Sequence, residues 1–280
     1  PFVTDAVHRY AVKPNELTRE APYIQNNIQA TRAAYELTDV ETREYPVRDT
    51  AWEEITPEME LNLHNIPIWD EEALLPVYRE LQEIRPYYAF EGIDVGRYSV
   101  EGVYQQVFLA AREIHLRALH PERQTWVNRW LKYTHGYGVV MTPASQAADQ
   151  PMEWYVQGIP PESVAGLSID EPAIYYGVGT YAPVIAPNAS REFDFASGDT
   201  TALTDYAGDG GVALGSLFRK LVFALYFGEP NIFYTTQTTD ASRLLFRRDI
   251  RERIRKLTPE LILDPNPYIA VADGRLYWIQ

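Results

Sequence analysis

An Asp-Gly dipeptide between two alternating segments near the end of the sequence commits the chain to antiparallel β-structure. Asp273-Gly274 separates residues 268–272 from residues 275–279, and this arrangement is a strong short-range signal for a tight hairpin. A second hairpin is predicted around Glu101-Gly102. Strands joined by such short turns must run antiparallel, because parallel strands need a long crossover connection.

Helical periodicity occurs between these hairpin signals. Ile24, Ile28 and Tyr35 recur at the spacing of one helix face. Further helices are predicted at 216–227 and 240–256. Helices and hairpins follow one another without regular βαβ units, so the sequence predicts an α+β fold of mixed helices and antiparallel β-hairpins, not a doubly wound sheet.

Other apolar segments are predicted to be extended. Residues 139–141 should form a buried strand, and residues 173–176 should pair with residues 181–186 around a glycine turn. Residues 232–236 are rich in β-branched and aromatic side chains, which favour strands. Residues 46–70 have little periodicity and are predicted to form a loop.

Two regions are predicted: a helical N-terminal segment over residues 1–45 and an α+β domain over residues 46–280. The longest apolar run, Leu221–Phe227, is far shorter than the roughly 20 residues that span a bilayer. The chain begins with proline and ends at Gln280 within an apolar strand pattern. We therefore expect a longer natural protein that continues past this end.

Acidic residues outnumber basic residues by 39 to 25, which gives a formal net charge of −14. This charge repels a phosphate backbone, so no nucleic-acid partner is expected. The basic cluster from Arg243 to Lys256 is interpreted first as a solvated helix face and second as an anion-binding face. The chain has no cysteine, which excludes disulfides, thiolate metal sites and cysteine nucleophiles.

The glycine-rich segment 208–216 is the first candidate ligand site. A loop that enters a helix can present backbone N–H groups to an anion, which makes Gly210, Gly211 and Ser216 candidates for ligand binding. A phosphate-binding loop needs lysine where this chain has Ser216, and Asp209 adds negative charge. A tight turn with close backbone packing is therefore the favoured interpretation.

A polar and aromatic cluster around His135 is the second candidate. His135 is a candidate general base, with Tyr133 or Tyr137 as the acid. Glu113 is a further catalytic candidate, and Arg129 and Tyr137 are candidates for ligand binding. Ordinary aromatic packing, with glycines that relieve backbone strain, is the favoured alternative for this cluster.

No metal and no cofactor are expected. The five histidines lack the spacing of a zinc site, and Asp199, Asp205 and Asp209 lack the pattern of a calcium-binding loop. The motifs of serine hydrolases and of dinucleotide-binding folds are also incomplete or missing. The balance of these observations favours a protein that is not an enzyme.

A glycan-cleaving enzyme stays open as an alternative. The chain has 6 tryptophans, 20 tyrosines and 39 acidic residues. A glycosidase needs two carboxylates about 5 to 10 Å apart in a cleft with aromatic walls. The composition supplies both kinds of residue, but the sequence does not specify a pair.

Several blocks of sequence, in this order, resemble one bacterial family. The most specific is Thr125-Trp126-Val127-Asn128-Arg129 followed by Tyr133-Thr134-His135-Gly136-Tyr137-Gly138-Val139-Val140. The others lie at residues 15–35, 210–216, 251–253 and 267–275. Together they make nearly the whole chain similar to the bacterial membrane proteins called uncharacterised protein family 0182.

This resemblance implies several N-terminal transmembrane helices followed by a large extracytoplasmic region, of which this chain would be the first part. It implies no activity, cofactor or catalytic residue. We therefore expect an accessory or ligand-binding domain on the extracytoplasmic side of the bacterial cell membrane, attached through transmembrane helices outside this chain. Its expected partner is an envelope glycan, lipid or protein. The alternatives are a cell-envelope hydrolase that uses carboxylates or His135, and the soluble gate of a transporter.

Overall fold

A computed structural model describes residues 2–44, 56–63, 65–146, 150–164, 166–179, 182–197 and 200–280. Contacts divide the chain into two compact units, Pro1–Glu54 and Ile55–Gln280. The predicted boundary between residues 45 and 46 lies outside the described residues.

The N-terminal unit is helical. It consists of α1 (Phe2–Val7), a π-helical turn (His8–Val12), a 3-10 turn (Lys13–Asn15) and α2 (Glu16–Ala34). The helix predicted from the spacing of Ile24 and Ile28 is confirmed as α2. Both side chains are exposed, at 44% and 54%.

The second unit contains the remaining helices. They are α3 (Pro57–Leu63), α4 (Glu71–Gln82), α5 (Leu217–Phe227), α6 (Asn231–Tyr234) and α7 (Ile250–Leu257), with 3-10 turns at Leu116–Ala118 and Pro121–Arg123 and a π-helical turn at Asn128–Lys132. Polar N-caps start three of them: Asp70, Ser216 and Asp249 accept a hydrogen bond from a backbone N–H of the first turn.

The strands of this unit are short, with one exception. They are β1 (Tyr88–Phe90), β2 (Asp94–Val100), β3 (Val103–Ile114), β4 (Gly136–Tyr137), β5 (Val139–Pro143), β6 (Val156–Gln157), β7 (Glu162–Ser163), β8 (Ala173–Ile174), β9 (Val184–Ala186), β10 (Glu192–Ser197), β11 (Thr200–Thr204), β12 (Val212–Ala213), β13 (Arg243–Leu245), β14 (Tyr268–Ala272) and β15 (Arg275–Ile279). All pairings between them are antiparallel. The predicted α+β fold is therefore confirmed, as are the hairpins β2–β3 and β14–β15.

The long strand β3 lies at the centre of the main sheet, which has the order β1-β3-β5-β6-β7 with β2 also paired to β3. Its side chains alternate between two hydrophobic clusters, as the period of a strand requires. Val107 and Leu109 pack in the cluster that includes Ile269 of β14. Phe108 packs in the cluster that includes Tyr78 of α4.

Two predictions about strand pairing are wrong. Residues 173–176 were expected to pair with residues 181–186, but β8 pairs with β4 and β9 pairs with β13. Both observed partners are distant in sequence, so no turn signal specifies them. The predicted buried strand at residues 139–141 is confirmed as part of β5.

Two segments adopt a different structure from the one predicted. Residues 231–234 form α6, since Ile232 is completely buried in a cluster with Leu214 and Leu244 and this packing overrides strand propensity. Residues 240–256 were expected to form one helix, but they divide into β13 and α7. Part of the predicted loop 46–70 is helical as α3.

Helix α5 carries the longest apolar run and exposes much of it. Within that run, Leu221, Leu225 and Tyr226 have exposed fractions of 44%, 75% and 63%. Phe223 and Ala224 face the interior. No helix in the described part of the chain is both long and apolar enough to cross a membrane.

Candidate ligand-binding cleft

A cleft of about 760 Å³ opens between the β4–β8 pair, the segment that follows β11 and the β14–β15 hairpin. We call it the tyrosine cleft. Its aromatic lining consists of Tyr137, Tyr175, Tyr176, Tyr206 and Trp278. Its charged lining consists of Asp170, Glu171, Asp194, Asp205, Asp209 and Arg275. Clefts of about 300–1,000 Å³ with aromatic walls and a few polar groups are the usual form of small-molecule sites.

The pairing of β4 with β8 places the first tyrosine. Tyr137 is opposite Ala173 in the register, which brings it beside the segment that contains Tyr175 and Tyr176. Gly136 is required here because a Cβ at this position would lie 2.8 Å from Glu113 Cα on β3. The close approach of the two backbones therefore depends on a glycine.

The buried carboxylate of Glu192 forms hydrogen bonds with two tyrosines of the cleft. Glu192 is completely buried and accepts hydrogen bonds from the Tyr175 hydroxyl at 2.9 Å, the Tyr206 backbone N–H at 2.8 Å and the Thr134 hydroxyl. Burial raises the pKa of Glu192, while its three donors oppose that increase. Glu192 therefore joins β10 to two separate walls of the cleft.

A buried arginine fixes the same region through backbone carbonyls. Arg248, which is 1% exposed, donates to Tyr175 O at 2.6 Å, Ala182 O at 2.9 Å and Thr134 O. The interpretation of the whole 243–256 cluster as a solvated helix face is wrong for this residue. Its guanidinium instead forms hydrogen bonds with segments that are far apart in sequence.

The glycine segment also bonds to an arginine. Arg243 donates to Gly210 O at 2.6 Å, Asp209 O at 2.8 Å and Gly211 O at 3.3 Å, while Gly210 N–H donates to the Tyr206 hydroxyl at 2.9 Å. The carbonyl oxygens of this segment thus face a cation, whereas an anion-binding loop presents its backbone N–H groups to the ligand. The alternative interpretation as a tight, closely packed turn fits Gly211, which has a φ of +78° and lies against Leu244.

The β14–β15 hairpin forms the opposite wall. Trp278 Nε1 donates to Tyr176 O at 2.8 Å. The Arg275 guanidinium lies 3.1 Å from the Glu171 carboxylate, and the backbone N–H groups of Asp170 and Glu171 both donate to Gly274 O. These contacts fix the hairpin against the segment that precedes β8.

A second cleft, of about 410 Å³, shares Trp278 with the first. Its carboxylates are Glu71, Glu72, Glu91, Asp94 and Glu113, beside the cation Arg251. Asp94 accepts from Ile269 N–H at 2.9 Å, and burial raises its pKa to about 6. No group of three or more histidines, aspartates and glutamates within the described residues is arranged to hold a metal ion.

The structure buries the predicted catalytic candidates. His135 is 1% exposed, and burial lowers its pKa to about 4, so its imidazole is neutral at pH 7. Its Nε2 atom has no partner within the described part of the chain. Tyr133 is 8% exposed and packs against Tyr87 and Phe193. General-base chemistry at His135 stays a prediction that would require the ring to become accessible.

Glu113 is equally buried, at 1% exposure. Its carboxylate accepts from the backbone N–H groups of Val178 at 3.0 Å and Gly179 at 2.9 Å. These bonds fix the segment that follows Tyr176. Glu113 therefore supports the wall between the two clefts and borders the second.

Of the predicted ligand-binding residues, Tyr137 lines the tyrosine cleft, whereas Gly210 and Gly211 follow the lining residues Gly208 and Asp209 without lining it themselves. Arg129 is exposed on the π-helical turn and Ser216 caps α5, and neither lines the cleft. Sequence reasoning missed Glu192, Asp194 and Trp278. The alternation of Phe193-Asp194-Phe195 contained a usable signal, because it places Asp194 on the opposite face of β10 from two aromatic residues.

The chain is thus an α+β protein with an aromatic, acidic cleft whose walls are fixed by buried charged side chains. The family model described as Uncharacterised protein family (UPF0182) matches residues 1–280. The chain belongs to this family, as its sequence blocks indicated.

Curated relatives agree with this assignment. A UPF0182 protein of Syntrophobacter fumaroxidans is 48% identical over 279 residues, which cover 100% of this chain and 32% of the relative. One of Nitrosococcus oceani is 48% identical over 280 residues, with 100% and 32% covered. One of Methylococcus capsulatus is 43% identical over 277 residues, with 99% and 31% covered. The chain therefore spans about a third of the length of these relatives. No solved structure matches it significantly.

Proposed function

We propose that this chain is a ligand-binding domain on the extracytoplasmic side of a bacterial membrane protein, and that the tyrosine cleft is its binding site. The observation that carries the proposal is the convergence of five aromatic side chains on one cleft of about 760 Å³. Aromatic faces and hydrogen-bonding carboxylates suit a compact polar component of the cell envelope.

The buried network around the cleft supports the proposal. Glu192 and Arg248 bind walls that come from β8, β10 and the segment after β11. A site fixed before the ligand arrives loses less conformational freedom on binding, which favours affinity. Burying a charged side chain costs free energy unless its hydrogen-bonding partners are placed specifically around it, as they are for Glu192 and Arg248.

A thermal-shift experiment tests the site. The chain is heated with fragments of envelope glycans and with lipid headgroups, and a ligand present at 100 times its Kd should add about 2.7 kcal/mol to the free energy of unfolding, or roughly 5–10 °C in Tm. Tyr206→Ala should abolish the shift. Tyr234→Ala is the matched control, because Tyr234 is 76% exposed and does not line the cleft.

Two results would remove the proposed site. One is a ligand-induced shift that persists unchanged in Tyr206→Ala. The other is the absence of a shift with every compound in the panel while the unliganded protein unfolds cooperatively.

The placement at a membrane is supported by the resemblance to a family of membrane proteins and by the exposed apolar face of α5. Phe218, Leu225 and Tyr226 are exposed by 73%, 75% and 63%, and such patches usually mark surfaces that other structure covers. Relatives about three times as long as this chain supply further polypeptide for that purpose.

Cysteine labelling tests the side of the membrane. The chain has no cysteine, so Glu122→Cys, on an exposed turn, introduces a single thiol into this domain, and any cysteine elsewhere in the full-length protein is replaced by serine. A membrane-impermeant maleimide should label it in intact cells whose outer membrane has been permeabilised. Labelling only after lysis would place the domain in the cytoplasm.

A hydrolase is a second candidate, and Asp194 favours it. Its carboxylate is half-buried in the cleft, and burial raises its pKa. A raised pKa keeps the proton that a general acid donates. The other carboxylates of the cleft are exposed. Release of reducing sugars from cell-wall glycans, lost in Asp194→Asn, would establish this activity. Binding without turnover would leave the domain as a receptor.

A further inference from the structure

We infer that the tyrosine cleft selects ligands that carry a positively charged amine or ammonium group. This inference rests on the proposed function, because it names the ligand class of the same site. It follows from which charges in the cleft are already neutralised by the protein and which are not.

Two of the five carboxylates that line the cleft form an ion pair with an arginine of the same chain. Glu171 lies 3.1 Å from the Arg275 guanidinium, and Asp205 lies 3.0 Å from that of Arg191. Among the described residues, Arg275 is the only cation in the lining, and it is already paired with Glu171. The remaining aspartates form no ion pair within the described residues: Asp170, Asp194 and Asp209.

Asp194 is the carboxylate that gains most from a ligand cation. It is half-buried, and the loss of water raises its pKa, while no cation of the described residues forms an ion pair with it. A carboxylate that has lost solvent and has no partner is costly, and a positive charge placed beside it recovers much of that cost. Burial raises the pKa of Tyr137, and the negative charge of Asp194 adds to that increase, which places the two side chains close together in the cleft.

The aromatic rings offer a second source of attraction. Tyr175 and Tyr206 meet edge to face with centroids 4.6 Å apart, and the face of a tyrosine ring attracts cations. Tyr176 already makes such a contact inside the protein, because the Arg253 guanidinium carbon lies 4.8 Å from its centroid. Rings combined with unpaired carboxylates are the usual composition of an ammonium site.

Other ligand classes fit less well. A neutral sugar can stack on the rings but leaves the three unpaired carboxylates uncompensated. An anion meets the carboxylates, and the single lining guanidinium is engaged by Glu171. Charge complementarity therefore discriminates against both.

Two pairs of compounds, each of a cation and a related neutral molecule, test the inference by isothermal titration calorimetry. Choline is compared with 3,3-dimethylbutan-1-ol, in which carbon replaces the charged nitrogen, and glucosamine with N-acetylglucosamine, in which an amide replaces the amine. We expect each cation to bind at least tenfold more tightly than its neutral partner. Raising the salt concentration from 0.05 M to 0.5 M should weaken only the cations, because salt screens the charges.

Substitutions of single aspartates test which carboxylates cause the preference for cations. Asp194→Asn should weaken cation binding about tenfold and leave the neutral compounds unchanged, and the exposed Asp209→Asn should weaken it less. Asp240→Asn, an exposed aspartate outside the cleft, is the control and should bind as the unaltered chain does. Melting temperatures of all three variants verify that each is folded.

Equal or tighter binding of the neutral compounds overturns the inference and leaves the proposed site intact. So does a shift produced only by neutral glycans in the thermal panel. Cation binding that neither aspartate variant changes also overturns it. A failure of every compound, charged or neutral, to bind removes the proposed function as well.

Discussion

Burial determines the chemistry of single carboxylates in this protein. Asp94 lines the second cleft, accepts from Ile269 N–H and has its pKa raised to about 6, mainly by desolvation. Glu192 is more deeply buried but has three donors. Desolvation therefore raises the pKa of both carboxylates, but Glu192 also joins three donors from separate segments.

Asp94→Asn should stabilise the protein at neutral pH and have little effect at pH 4. The raised pKa means that the folded state binds the proton more tightly, so the contribution of Asp94 to stability is present at low pH and is lost as the pH rises from about 4 through 6. Asparagine keeps an acceptor for Ile269 N–H and has no charge to desolvate. We expect a gain of about 1–2 kcal/mol at pH 7.5, or roughly 2–6 °C in Tm.

Melting curves between pH 4 and pH 8 measure this difference. Asp240→Asn removes an exposed carboxylate and should leave the pH profile unchanged. Parallel profiles for Asp94→Asn and the unaltered chain would show that Asp94 does not carry the predicted cost.

Glu192→Gln should destabilise the protein by about 2–3 kcal/mol, because an amide presents a donor where three donors already converge. Glu171→Gln is the control, since Glu171 is an exposed partner of Arg275 and such pairs contribute about 0–1 kcal/mol. Urea unfolding followed by tryptophan fluorescence measures both. Similar midpoints for the two variants would contradict the central role of Glu192.

At the scale of elements, the two hairpins differ in how their turns are packed. Gly102 and Gly274 both adopt positive φ, at +85° and +73°. A Cβ at Gly102 would meet nothing within 4 Å, whereas one at Gly274 would collide with the carboxylate of Asp170. The turn of β14–β15 is therefore fixed from outside the hairpin, and the turn of β2–β3 is not.

Alanine substitutions at these turns separate backbone strain from collision. Gly102→Ala should cost about 1 kcal/mol from the unfavourable φ alone. Gly274→Ala should cost roughly 2–4 kcal/mol, because Asp170 must also move. Chemical denaturation provides the comparison, and an equal loss in both variants would mean that Asp170 moves aside freely.

The same scale explains what the sequence predicts. Both hairpins were found because their signals are local: a turn dipeptide and the alternation of its neighbours. The pairings β4–β8 and β9–β13 were not found, because their partners are distant and their register depends on packing. Residues 231–234 carry strand-forming side chains, yet the burial of Ile232 makes them helical.

The candidate site follows this pattern. The polar and aromatic cluster predicted around His135 includes Tyr137, which lines the cleft, but His135 itself is buried and does not line it. Glu192 and Trp278 come from strands with no distinctive motif, and only the tertiary fold brings them to the tyrosines. A single sequence identifies residue types and local elements, whereas a cleft formed by five distant segments requires the fold.

For the whole molecule, every hydrophobic cluster of the described residues lies between Trp69 and Trp278. Residues 55–280 should therefore fold without residues 1–54, unfold in one cooperative transition and keep the ligand response of the tyrosine cleft. The peptide 1–44 should be only partly helical, since α1 has no buried residues and Tyr23, Ile24 and Ile28 of α2 are exposed, and helices gain most of their stability from packing. Circular dichroism of both fragments measures this, and a broad, non-cooperative transition for residues 55–280 would show that its core depends on the N-terminal unit.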